Sequence, residues 1–347
     1  MKKSTDIKSI RVVGIDLGKT CFQLYGVDDQ AKERLDKKLS RAQLGQFIAK
    51  LPPSLIGMEA CATAHYWARQ MREYGHDVKL IAPQFVKPYV KSNKNDRADA
   101  QAICEAVQRP HMRFVAIKEI EQQDIQSLHR IRSQVVANRT AVVNQIRGLL
   151  LEYGIVVPQG RRKVREGLSL IIEDAENGLT ARFRGWQLDL YHELVHLDKR
   201  IAYLDGQIEI SAKENERAQR LLSIPGIGPM IATALSAAIG DINHFKNGRE
   251  LSAWLGLVPR QCSTGGRPRL LGISKRGDVY LRQLIIHGAR AVVQRVDGKT
   301  DKRSRWIQQV LLRRNKNIAI VALANKTVRI AYAVLKHNTE YREAKAL

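Results

Sequence analysis

Acidic residues are scarce in this chain of 347: 34 Asp and Glu stand against 58 Lys and Arg, leaving a formal charge of +24 and an isoelectric point near 10.1. Solubility needs far less, so the excess points to a polyanionic partner whose phosphates release counterions when neutralised. Cysteine is scarce too. Cys21, Cys61, Cys104 and Cys262 lie singly, with no CxxC pair for zinc and no dense framework to staple a secreted fold, so they read as reduced thiols. The chain also lacks an unbroken apolar run of the roughly 18 residues that span a bilayer, and MKKSTDIKSIRVV leads into a charged strand rather than a signal peptide. These absences set aside membrane and secreted classes and predict a cytosolic protein. What remains is 44% apolar residues over a length that suggests two or three domains.

Hydrophobic patterning divides the chain at about residues 115 and 216. In the first part, RVVGIDLGKTCFQLYGV (11–27) reads as two apolar strands turning at Gly18 and Lys19 and stopped by the turn-like DDQ. LIGMEA ends on Glu59 before the helical HYWARQMREYG, and VKLIAP (78–83) reads as a strand stopped by proline. Strands followed by helices predict an α/β domain over 1–115. Over 116–216, Leu128, Val135, Val142 and Leu149 recur every seven residues, and Leu190, Leu194, Leu197, Ile201, Leu204 and Ile208 alternate steps of four and three. That spacing predicts a helical coiled-coil arm, folded back on itself or paired with another subunit. The last part, 217–347, reads as mainly helical, with loops at 223–229 and 259–278. Residues 260–316 hold 15 basic and 3 acidic residues, half of the whole excess. This is either a solvated basic face or the place where much of the nucleic acid lies.

Asp16 interrupts a strand otherwise made of Val, Ile and Leu, and Glu59 ends a second apolar strand in the same way. A carboxylate on a half-buried strand needs a cation or strong donors. Asp96 and Asp99, three apart, share one helix face. Four acids on two strands and a helix can converge, and oxygen ligands of this kind suit Mg²⁺ or Mn²⁺ in phosphoryl transfer. Taken singly, Glu59 also fits a cap on the following helix and Asp96 an N-cap.

GIDLGKT, GMEAC and KNDRADA together resemble the DEDD transposase domain of the IS110 family, related in fold to RuvC-type Holliday-junction resolvases. The resemblance implies an RNase H-like (RuvC-like) N-terminal domain with Asp16, Glu59, Asp96 and Asp99 as metal ligands.

SIPGIGPMIATALSAAIG (223–240) places PGIG between two helical stretches, similar to the helix-hairpin-helix of many DNA-binding proteins. Gly226 and Gly228 would let backbone N–H groups approach a phosphate, although a plain helix turn reads the same way. The following segment, from HFKNGRELSAWLG through KRGDVYLRQLI, resembles the C-terminal transposase domain of the same family, nearest its IS1111 subgroup. Within it, QCSTGGR sets Ser263 in a glycine-bounded loop. Gly265 and Gly266 permit close backbone approach, and Arg260, Arg267 and Arg269, with Lys275 and Arg276 beyond, offer cations to phosphate oxygens. In the family a serine of this segment attacks DNA, and the match falls on Ser263, with Thr264 and Ser274 as alternatives. A serine beside glycine can also merely stabilise its loop. Cys262 departs from the histidine expected in related loops.

The same resemblance implies insertion and excision of a mobile element, with DNA as substrate, a noncoding guide RNA from the element, and a dimer or tetramer in which the carboxylate domain of one subunit faces the serine domain of another. Two rivals fit the composition: a resolvase or nuclease that uses the carboxylates and water, and a non-enzymatic architectural nucleic-acid-binding protein. His192, Glu193 and His196 match HExxH, the zinc-protease helix, but the buried seam at Leu190, Leu194 and Leu197 turns both histidines outward, and a third ligand is missing.

Overall fold

A computed structural model describes residues 7–91 and 95–342, in two compact units, Met1–Ile120 and Glu121–Leu347. The first is built on a six-stranded mixed sheet. Its elements are β1 (Val12–Leu17), β2 (Cys21–Val27), β3 (Glu33–Ser40), α1 (Arg41–Ile48), β4 (Leu55–Glu59), α2 (Ala64–Glu73), β5 (Asp77–Ile81), α3 (Pro83–Val86), α4 (Asp96–Val107) and β6 (Phe114–Val115). The strand order is β3-β2-β1-β4-β5-β6, with β1, β4 and β5 parallel and the rest antiparallel to their neighbours.

Alternation along β1 assigns its two faces. Val13 and Ile15 are fully buried with Phe22, Leu24, Ile56 and Met58, and α2 packs Trp67, Ala68 and Met71 into the same cluster. Each of the larger aliphatic and phenylalanine side chains contributes about 1.5–3 kcal/mol by leaving water. Gly14 and Asp16 take the opposite face, the one covered by α4. Sequence periodicity missed β3, whose ERLDKKLS buries only Leu35 and Leu39. It is an edge strand, and edge strands carry charge that keeps them from pairing with other chains.

The second unit holds α5 (Ile120–Leu151), α6 (Arg161–Glu173), α7 (Ala181–Glu214), α8 (Glu216–Leu222), α9 (Pro229–Ile239), α10 (Gly248–Trp254), β7 (Pro259–Gln261), β8 (Leu270–Ile273), α11 (Val279–Val293), α12 (Lys302–Arg313) and α13 (Lys316–His337). Ion pairs Arg132–Asp205 and Arg139–Asp198 lie one heptad apart on α5 and α7 and run in opposite senses, so the two long helices are antiparallel. Leu194, Leu197, Ile201 and Leu204 of α7 share one core with Val135, Val142, Ile146 and Leu150 of α5 and with Val164 and Leu168 of α6. The seven-residue reading fails at Leu149, which is 38% exposed while Ile146 and Leu150 are buried. A straight helix drifts about 20° per heptad, and here α6 and Phe183 of α7 extend the core around the drifting face.

Because Leu197 and Leu204 are each only 6% exposed inside a single chain, charging both is expected to melt the arm itself. Each substitution removes packing worth about 2–5 kcal/mol and strands a charge without a partner. Circular dichroism on Leu197→Glu/Leu204→Glu should show a collapsed melting transition; an unchanged transition with reduced mass in light scattering would instead place the seam between subunits.

The rest of the unit packs α8, α9, α10, α11, α12 and α13 around a second core. Among the described residues, α13 is the one helix long and apolar enough to cross a membrane by length and composition, with half of its apolar window buried. Ile320, Leu323, Ala324, Val328 and Ala331 bury it in the core, so it reads as a core helix. His129 of α5 is buried between Tyr280 Oη (2.9 Å) and Thr233 Oγ1 (3.0 Å). Burial, reinforced by the Arg132 charge, pushes this imidazole down to about 4. Residues 259–278, expected as loop, instead contain the β7–β8 hairpin. Its strands bury almost nothing, so they leave no hydrophobic alternation to read.

Candidate active site and nucleic-acid interface

Two adjacent glycines set the geometry of the acidic face. Gly14 of β1 and Gly57 of β4 are register partners. A Cβ on Gly14 would lie 2.2 Å from the Ala100 carbonyl oxygen, and one on Gly57 would lie 2.8 Å from Val107 Cβ, so only glycine lets α4 descend this close. The contacts also fix its direction. Cys104 Sγ approaches the Val12 carbonyl oxygen while Ala100 covers Gly14, so the start of α4 lies toward the carboxyl ends of β1 and β4.

Asp16 and Glu59 occupy those ends, each two residues beyond its glycine and therefore on the same face. Both are half-buried. Cys61 reports their proximity: its thiol is pushed up first by partial desolvation, then by the negative charges of Glu59 and Asp16. Asp99, also half-buried, is one helical turn before Ile103, which packs over Gly57, so it lies on the α4 face above the same strand ends.

Asp96 is placed differently. It is exposed and ion-paired to Lys38 Nζ at 3.0 Å, and that hydrogen bond raises the lysine's pKa. Lys38 stands opposite Gln23, which stands opposite Asp16, so one row across three strands presents lysine, glutamine and aspartate on the α4 face. Arg97 ties the same helix end to Glu33 (2.9 Å) and Asp36 (2.7 Å). The cap of α4 is Asn95, which accepts from the Ala98 N–H at 2.8 Å, and the residue before α2 is Thr63, so neither Asp96 nor Glu59 serves as a cap. Lys94, which opens KNDRADA, lies outside the described residues.

Among the described residues no three His, Cys, Asp or Glu side chains are gathered as a ready metal-binding group. The donor chemistry nevertheless fits a hard divalent cation: Asp16, Glu59 and Asp99 offer only oxygen on one face. Asp96 would have to exchange Lys38 for the metal. Lys38 and Arg97 went unread because their role depends on strand pairing with a polar edge.

In the second unit, Ser263 lies on the exposed hairpin that links β7 to β8. Thr264 and Arg267 pair across its tip, and Gly265 (φ 56°) and Gly266 (φ 73°) are both left-handed, as a two-residue type I′ turn requires. Ser263 Oγ accepts from Gln261 Nε2 at 2.9 Å and from the Arg269 N–H at 3.3 Å. Neither is a base. The side chains of Arg260, Arg267, Arg269, Lys275 and Arg276 are exposed, and none forms an ion pair among the described residues. Ser274 sits at the far end of the hairpin, its N–H donated to the Val258 carbonyl at 2.8 Å.

The turn between α8 and α9 separates its two glycines. Gly226 has φ +93°, and a Cβ there would meet Val292 Cγ2 at 2.8 Å and the Gly288 carbonyl oxygen at 3.1 Å, so it docks the turn onto α11. Gly228, at the N-cap of α9, has open space around it. Gly226→Ala is therefore expected to cost about 1–3 kcal/mol of stability, whereas Gly228→Ala should cost only the smaller amount, about 0.5–1 kcal/mol, by which alanine is the poorer N-cap. Equal melting temperatures for the two variants would refute this division. His192, Glu193 and His196 of the HExxH match are exposed on α7, with Leu194 and Leu197 buried beneath.

Comparison with known proteins shows the family. Residues 13–155 match a family model described as a transposase, the DEDD transposase of IS110, and residues 218–305 match one described as Transposase IS116/IS110/IS902 family. A probable family 20 transposase of Pseudomonas aeruginosa is 51% identical over 95% of this chain and 98% of its own length. The transposase for insertion sequence element IS1111A of Coxiella burnetii is 47% identical over 98% and 94%, and that for IS1328 of Yersinia enterocolitica is 41% identical over 96% and 99%. With carboxylates at the ends of two central strands in one matched region, a basic serine hairpin in the other, and this similarity along nearly its whole length, the chain belongs to the IS110 family of transposases, enzymes that cut and rejoin DNA, and within it to the IS1111 subgroup.

Proposed function

We propose that the chain carries out site-specific insertion and excision of its element by two cooperating groups, the carboxylates Asp16, Glu59, Asp96 and Asp99 and the nucleophile Ser263. The supporting observation is the close descent of α4 onto Gly14 and Gly57, which puts the face bearing Asp99 over Asp16 and Glu59. A divalent cation held there, Mg²⁺ or Mn²⁺, would offset the charge that develops on a phosphodiester during transfer. Ser263 Oγ forms a bond to phosphorus as the bond to a deoxyribose oxygen breaks; the serine proton leaves and the released oxygen is protonated. Gln261 and the Arg269 N–H already occupy the acceptor side of Oγ, which leaves its own O–H to be given up.

Arg260, Arg267, Arg269, Lys275 and Arg276 hold the DNA backbone in this reading, and Gly228 opens the first turn of α9 to a phosphate as in a helix-hairpin-helix. The domains are 1–115, an RNase H-like catalytic domain; 116–216, a coiled-coil arm; and 217–347, the serine domain. Element ends and target DNA, a noncoding guide RNA and further copies of the chain are the partners, in the bacterial nucleoid. Among the described residues neither hydrogen-bond partner of Ser263 is a general base, which favours a second reading, in which water attacks and the serine only braces its hairpin. Incubating the full chain, its co-purified nucleic acid and end-labelled donor DNA with Mg²⁺ tests both. Strand cleavage lost in Asp16→Asn excludes an architectural binder, and label that stays with denatured protein excludes water.

A further inference from the structure

Three arginines from two helices converge on one carboxylate in the arm. Asp198 of α7, whose side chain is 12% exposed, receives Arg139 (3.1 Å), Arg161 (3.2 Å) and Arg165 (3.5 Å). A carboxylate has about four acceptor sites, whereas three guanidiniums carry about fifteen N–H donors, so most donors on the half-exposed Arg161 and Arg165 are uncommitted to it. Arg139, by contrast, is largely buried and acts as the internal brace. Asp198 thus orients two cations without neutralising them.

The helix that carries those cations is electrostatically reversed. The first residues of α6 are Arg161, Arg162, Lys163, Val164 and Arg165, with no acid in the first turn, and Gly160 provides no side-chain cap. Positive charge at a helix N-terminus opposes the dipole, and a first turn without a side-chain cap leaves its backbone N–H groups to partners outside the helix, an arrangement that an anion relieves. Beside it opens a cavity of about 690 Å³ lined by Arg161, Arg162, Arg165, Ser169, Leu170 and Tyr191 together with Glu166 and Asp198. Arg162 is matched one to one by Glu166 at 2.6 Å, whereas Arg161 and Arg165 share the single charge of Asp198 with Arg139, which leaves them as the anion-facing pair. Ser169 supplies a hydroxyl, and Leu170 and Tyr191 give an apolar wall of the kind a sugar or base edge covers.

We propose that this cavity grips the phosphodiester backbone of the nucleic acid on which the enzyme acts, with Arg161 and Arg165 on one or two successive phosphates. The proposal rests on the reading of the chain as a nucleic-acid enzyme but not on its catalytic assignments, so binding is measured with metal chelated. The full chain is titrated with a labelled DNA duplex and, separately, an RNA hairpin of matched length, with fluorescence anisotropy read across salt concentrations. Arg161→Gln/Arg165→Gln is expected to weaken binding to at least one probe by about tenfold or more and to reduce the salt slope by about two. Should that variant disturb the Asp198 brace, Ser169→Glu leaves all three arginine contacts in place and should weaken the same probe by placing an anion in the cavity. Wild-type affinity and slope in both variants for both probes would overturn the proposal. It would equally be overturned if inorganic phosphate stabilised the wild type but not the arginine variant while probe binding stayed unchanged, since the cavity would then serve a free anion. Because metal is chelated and no cleavage is read, a failed catalytic assignment leaves this result untouched.

Discussion

Ser263→Ala should yield no covalent protein–DNA product, with rejoined product falling by about 10⁴–10⁶-fold, the scale on which removal of an attacking hydroxyl acts in other enzymes. The substitution is otherwise mild. Ser263 is exposed on a hairpin, and its loss removes only the contacts from Gln261 and the Arg269 N–H, together worth roughly 1 kcal/mol. Melting temperature should therefore fall by no more than about 2–4 °C and metal-free DNA binding should match the wild type, which separates chemistry from folding. The assay is end-labelled donor DNA incubated with Mg²⁺ and the co-purified nucleic acid, then denatured and resolved for label travelling with protein. Label retained in Ser263→Ala would end this assignment, and peptide mapping would then distinguish Thr264, which pairs across the hairpin tip, from Ser274 at its far end.

Asp16→Asn and Glu59→Gln are each expected to reduce strand cleavage by at least about 10²-fold while leaving a folded, DNA-binding protein. The two carboxylates stand at the ends of adjacent parallel strands, and like charges so placed repel. Neutralising one removes repulsion and a donor together, so activity should fall without a matching fall in stability. Asp96→Asn should act more weakly, because Asp96 is exposed and already engaged by Lys38. Cleavage by Asp16→Asn or Glu59→Gln at the wild-type rate in Mg²⁺ would remove both from the site. If cleavage were lost in the acid variants but survived in Ser263→Ala, the water-using reading would stand.

Features that repeat locally were legible from the residues in order. The β1–β2 hairpin followed from two apolar runs around Gly18 and Lys19, and β4 and β5 followed from LIGMEA and VKLIAP. The α7 seam from Leu194 to Ile208 followed from its steps of four and three, because a helix repeats its faces at a fixed period. Asp16 and Glu59 stood out because a carboxylate on an apolar strand is costly wherever that strand lies.

What sequence order leaves undetermined is which side chains meet across elements. β3 and the β7–β8 hairpin were invisible to hydrophobic periodicity because their strands are mostly polar or exposed, so their existence rests on backbone pairing rather than on burial. Pairing alone aligned Lys38 with Gln23 and Asp16, and thereby gave Asp96 a cation that no spacing rule pointed to. Leu149 left the seam because neighbours joined the core around a drifting helix face. Gly226 proved to be a packing residue only once Val292 and Gly288, more than sixty positions later, were seen against it. Asp198 and its three arginines are separated by tens of residues, and only the antiparallel run of α5 and α7 with α6 alongside brings them to one point. Local chemistry thus singled out Asp16, Glu59 and the glycines, and family resemblance pointed to Ser263, while distances between them depended on close packing, which is a property of the folded chain as a whole.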